Sequence, residues 1–208
     1  MNANQNIYLT RWIFLIPIAA LIIGLAACDS ATDSGTKAAT RVMPTGSATG
    51  VIMMGAPISG ISYAVSSGAS GKTNDEGTFD FTYGDTIEFK VGSLTLGNIQ
   101  GAEIITPIAL ADGNENKLQN LLVLLQTLDA NGDSSDGVTI LDDAAAALDA
   151  SINLESSPDT FTAKLQDVLE TSGIEGEIKS QEEAVAQFLS QGFSILNAHI
   201  WAGHDGST

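Results

Sequence analysis

The chain has 208 residues, 25 of them acidic against eight Lys and Arg, for a net charge of −17 at pH 7. So negative a surface repels phosphate backbones and anionic lipid headgroups, which argues against nucleic acid and against direct membrane adhesion. Cations, basic partners and plain solubility are the readings left, and a single cysteine allows no internal disulfide.

Residues 1–27 hold no acidic residue and one cation, Arg11. Ile13 to Ala27 is apolar, interrupted only by Pro17 and Gly24. A spanning helix needs about 20 apolar residues; this run has the length of a signal-peptide core followed by small residues. It ends in Leu25-Ala26-Ala27-Cys28, which resembles the lipobox of bacterial lipoproteins. The resemblance implies cleavage before Cys28, diacylation of its sulfur and acylation of its new N-terminus. Two or three acyl chains anchor stably where one does not. The alternative is an uncleaved N-terminal membrane anchor. Asp29 matches the residue that retains many Gram-negative lipoproteins in the inner membrane. The resemblance therefore implies an inner-membrane protein facing the periplasm, with the outer membrane or cell surface as the alternative.

Without residues 1–27, 181 residues remain, with seven cations against 25 acids and a net charge of −18. Residues 28–50 are rich in Ser, Thr, Ala and Gly without apolar periodicity, the pattern of a lipidated flexible tether.

Residues 51–110 read as β-structure, short apolar or alternating runs separated by Gly, Asn and Asp. Expected strands cover Val51 to Met54, Ile58 to Val65, Phe79 and Phe81, Ile87 to Val91, Leu94 and Leu96, and Ile104 to Ile108. Pro107 places the last at an edge or an end. Six such strands make a small antiparallel β-sandwich. The stretch GKTNDEGTFDF resembles the turn and strand of carboxypeptidase regulatory-like, prealbumin-like sandwiches. The longer pattern from Ala56 to Pro107 resembles a module of gammaproteobacterial envelope lipoproteins. The sequence Gly71-Lys72-Thr73 ends like a phosphate loop, but a strand rather than a helix is expected after it. A phosphate loop needs the helix, so no nucleotide partner is expected.

Residues 111–200 read as helical, and 201–208 as a tail. Leu118, Leu121, Leu122, Leu125 and Leu128 recur on one helix face, with Asp112 or Asn114 as cap. Val123 and Leu124 widen that face until the helix must be buried, most simply against the β layer. Then comes Asp129-Ala-Asn131-Gly-Asp133-Ser-Ser-Asp136-Gly137. Oxygen side chains at alternate positions let a loop curl round a hard cation. For five residues the loop resembles an EF-hand or dockerin loop. It departs at Ser134, where glycine is expected, and at Ile140, where a bidentate carboxylate is expected. The calcium reading takes Asp129, Asn131, Asp133 and Asp136 as ligands, with Asp142 closing the shell. The other reading is an Asx turn that ends the helix for backbone reasons alone. Further helices are expected over Leu141 to Ala150, from Ser157-Pro158 to Gly173, and after the capping box Ser180-x-x-Glu183.

No Gly-x-Ser-x-Gly, Ser-x-x-Lys or His-Glu-x-x-His occurs, and His199 and His204 are the only histidines. The reading is therefore non-enzymatic. The expected fold class is α+β, a β-sandwich-like N-terminal half packed with a C-terminal helical half. The expected function is an accessory or binding lipoprotein of the envelope. A resemblance to lipoproteins that partner outer-membrane hydrocarbon channels implies assistance in uptake of hydrophobic compounds such as alkanes or fatty acids, with such a channel as partner. The alternative is a calcium-stabilised adhesive or structural surface module.

Overall fold

The computed structural model describes residues 44–174 and 176–202. The fold is α+β, with strands in the N-terminal half and helices in the C-terminal half. The strands are β1 (Ser47–Met54), β2 (Ala56–Ser59), β3 (Ser62–Val65), β4 (Ser70–Lys72), β5 (Thr78–Thr82), β6 (Thr86–Val91), β7 (Leu94–Gln100), β8 (Ile104–Ile105) and β9 (Val138–Thr139). The helices are α1 (Pro107–Ala111), α2 (Glu115–Thr127), α3 (Asp142–Ala147), α4 (Pro158–Thr171) and α5 (Gln181–Ala202).

Two sheets form. One runs β5-β1-β2-β9, with β8 also paired to β1; the other runs β4-β3-β6-β7. They meet through aromatic side chains. Phe79 of β5 lies edge-on to Phe89 of β6, centroids 5.1 Å apart, and tilted against Tyr63 of β3. The pairing is antiparallel, as expected, except that β8 joins β1 and β9 joins β2 in parallel.

The expected strand Ile58 to Val65 is two strands in different sheets. Gly60 divides them at φ +83°, a conformation open to glycine and strained for other residues. Thr73 holds the corner: its buried hydroxyl donates to the Ile58 carbonyl at 2.9 Å and accepts from the Ile61 amide at 3.1 Å. The same threonine ends the Gly71-Lys72-Thr73 sequence, and the chain continues into strand β5.

The expected tether ends earlier than residue 50. Ser47 to Val51 pair in register with Thr82 to Thr78 of β5. This half-strand shows no apolar alternation: Ser47 and Thr49 are exposed, and its one buried position is a glycine. A Cβ on Gly50 would lie 2.4 Å from the Phe79 ring. Pro107 does not end a strand but opens α1, with the Thr106 hydroxyl accepting from the Ala109 amide, the position where proline costs no hydrogen bond.

Helix α2 is capped by Asn114 and buried from Asn120 through Gln126. It packs mainly on α1, α4 and α5 rather than on the β layer, while α1 lies on β7. One apolar core runs through both halves, joining Ile52, Phe79 and Phe89 to Leu121, Leu125 and Phe161. The two halves read separately from sequence therefore share their interior. The capping box is present: Ser180 Oγ accepts from the Glu183 amide, and Glu183 accepts from the Ser180 amide and hydroxyl. No helix among the described residues is long and apolar enough to cross a membrane.

Candidate functional site

Residues 129–140 form a loop closed at its neck. Asp129 and Ile140 make an isolated antiparallel bridge, and the Ala130 amide donates to the Thr139 carbonyl at 2.9 Å. Both ends are fixed from outside. Asp129 follows α2 directly, and β9 pairs with β2 (Ile58 with Val138, Ser59 with Thr139).

Inside the neck, Asp129 Oδ1 accepts from the Thr139 amide at 2.9 Å, and Oδ2 has no hydrogen-bond partner. The residue is 8% exposed. Its pKa is raised, first by burial and further by the charge of Asp136, against the pull of the Thr139, Asn131 and Ala130 amides. Asn131 Oδ1 accepts from the Asp133 amide at 2.8 Å, and Asn131 Nδ2 donates to both Asp136 oxygens at 3.3 and 3.2 Å. Asp133 Oδ1 takes the Ser135 hydroxyl at 2.6 Å and the Ser135 amide at 3.1 Å. Those bonds, the hydroxyl first, hold its pKa below the usual carboxylate value.

Four of the five expected ligands thus share one loop. Asp142 does not join them. It lies in the first turn of α3 and pairs with Lys72 of β4 at the surface. The sixth loop position is Ser134 where a calcium loop has glycine, and positive φ is found instead at Gly132 and Gly137.

Two further residues belong to the site. Ser134 is 2% exposed, and its Oγ is unpartnered. Its carbonyl accepts from Gln191 Nε2 of α5 at 2.8 Å, and Gln191 Oε1 is unpartnered too. Spacing gave no signal for either, because their burial depends on α5 returning beneath the loop. Elsewhere, buried Asn120 ties α2 to the Leu154 and Ser156 carbonyls, and buried Gln126 donates to Ala184 of α5. These are structural clamps. Their one visible signal is an amide within a leucine-rich helix.

No group of three or more His, Cys, Asp and Glu able to hold a metal occurs among the described residues, so Asp129, Asp133 and Asp136 do not form one by themselves. Cys28, Asp29 and His204 lie outside the described residues, as do the side chains of Leu196 and His199. Comparison with protein-family models, with curated proteins and with solved structures returned no match.

Proposed function

We propose that the protein is an envelope lipoprotein that presents a non-enzymatic binding or accessory domain to the periplasm. One observation carries this reading: the only cysteine follows Leu25-Ala26-Ala27 at the end of an apolar run. Acylation at Cys28 puts two or more chains into the bilayer, enough for stable attachment. The first described strand begins at Ser47. The eighteen residues 29–46 then allow it to stand at most about 60 Å from the lipid. Charge supports a tether over direct adhesion, because a net −18 body is repelled by anionic lipid. Asp29 favours the inner membrane, and the outer membrane is the other address. The sequence lacks the nucleophile-and-base motifs that hydrolysis needs, which supports binding over catalysis.

The test is fractionation of cells supplied with labelled palmitate. The full chain should be labelled and sediment with membranes. Cys28→Ala should be unlabelled and remain as the uncleaved precursor. An unlabelled wild-type chain rejects the reading, and movement of an Asp29→Ser variant to the outer membrane establishes the sorting role. Uptake of hydrophobic compounds rests on resemblance alone. It fails if a deletion strain grows normally on alkanes and fatty acids.

A further inference from the structure

Buried polar atoms without partners are rare, because each forfeits its bonds to water without replacement, and a charged one forfeits more. Five side-chain atoms of this kind occur among the described residues, and three belong to the 129–140 loop and the helix beneath it: Asp129 Oδ2, Ser134 Oγ and Gln191 Oε1. The other two, Asn120 Oδ1 and Gln126 Oε1, sit on amides whose nitrogens are engaged as clamps. The loop is different in kind. Its orphans include one oxygen of Asp129, a carboxylate residue more than nine-tenths buried, and the nearby Asp136 carboxylate, held by Asn131 Nδ2, acts on it by charge.

We propose that the loop is a site for a hard divalent cation of calcium's class, with Asp129 Oδ2 and the Asp136 carboxylate as its anchoring ligands. A cation between these two groups turns their mutual repulsion into joint attraction and supplies the partner that Oδ2 lacks. Asn131 Oδ1 contributes without losing its turn, since a carbonyl oxygen has two acceptor positions and the Asp133 amide occupies one. Asp133 is engaged by the Ser135 hydroxyl and amide instead and is not a ligand. Water completes the six to eight oxygens that calcium takes, and Ser134 Oγ and Gln191 Oε1 are available to hold it. Asp142 takes no part, being engaged by Lys72. A shell so dependent on water belongs with extracellular modules that bind at about 10⁻⁴–10⁻³ M. The site is independent of the acylation reading, so either can fail alone.

The experiment is calorimetric titration of the purified full chain with calcium chloride after chelation, beside thermal melting at constant ionic strength. One equivalent should bind. Calcium a hundredfold above the dissociation constant should raise the melting temperature by roughly 5–10 °C. Magnesium, which dehydrates reluctantly, should do markedly less. Asp129→Asn and Asp136→Asn should each weaken calcium binding at least tenfold, and Asp142→Asn should not. In chelator, Asp129→Asn should melt no lower than wild type, since it removes a buried charge and keeps the shape. The proposal is overturned by no heat and no shift up to 10 mM calcium, by an equal response to magnesium, or by an undiminished response in the Asp129 and Asp136 variants.

Discussion

At the scale of single residues, one carboxylate holds a corner of the β half. Asp85 accepts from the Ser67 hydroxyl at 2.8 Å, the Thr82 amide at 2.9 Å and the Ser66 hydroxyl at 2.9 Å. Those bonds, the Ser67 hydroxyl first, lower its pKa against the opposing effect of burial. A carboxylate whose folded pKa is depressed stabilises the fold above its unfolded pKa, and loses that contribution as pH falls through the folded value. The window therefore begins near the ordinary aspartate value, about 3.9, and extends below it. Asp85→Asn should unfold at lower urea than wild type at pH 7. The gap between the two midpoints should narrow steadily from pH 5 downward. A gap that stays constant to pH 3 would mean that shape rather than charge holds this corner.

At the scale of elements, Gly60 marks the crossing between the two sheets, from β2 to β3. A Cβ there would sit 2.1 Å from the Ile140 carbonyl oxygen, on a backbone already at φ +83°. Both penalties act in Gly60→Ala: a left-handed non-glycine residue costs about 1–2 kcal/mol, and the clash adds to it. Denaturant titration should show a loss of at least ~2 kcal/mol, and calcium binding should weaken because Ile140 closes the loop. The same glycine marks the limit of sequence reading. Ile61 and Tyr63 alternate about Ser62, but Ile58 stands three residues before Ile61, so the period changes phase at Gly60; a run read only as apolar joins two strands that this phase shift and the glycine separate. Strands β5 and β6 were legible because Phe79, Phe81, Ile87 and Phe89 alternate strictly with polar residues. Strands β4 and β9 were not, because three and two residues carry no period and exist only through their partners. Helices α2, α4 and α5 showed their starts in Asn114, Ser157-Pro158 and Ser180-x-x-Glu183, which are local signals. The candidate site divides in the same way. Asp129, Asn131, Asp133 and Asp136 are set by local spacing. The loss of Asp142 to Lys72, and the burial of Ser134 under Gln191, depend on residues 57 or more positions away.

At the scale of the whole molecule, charge is the dominant unbalanced term. Seven cations against 25 acids follow residue 27. The ion pairs found among the described residues are Lys72–Asp142, Lys90–Glu88 and Lys164–Asp167, all at the surface. Pairs of that kind contribute about 0–1 kcal/mol each, while a surplus of eighteen negative charges repels itself throughout the compact state. Salt weakens both, but the repulsion is the larger quantity. Raising sodium chloride from roughly 10 to 150 mM shortens the screening length from about 30 to about 8 Å, so distant carboxylates stop interacting. In chelator, that change should stabilise the fold by ~1 kcal/mol and raise its melting temperature by roughly 2–4 °C. Asp136→Asn should respond to sodium as wild type does, because one charge among 25 hardly alters the general term. The two electrostatic effects are thereby separated: sodium acts on the whole surface, and calcium at fixed ionic strength acts through Asp129 and Asp136. A melting temperature that falls with sodium chloride would put the few ion pairs above the repulsion and reverse this ordering.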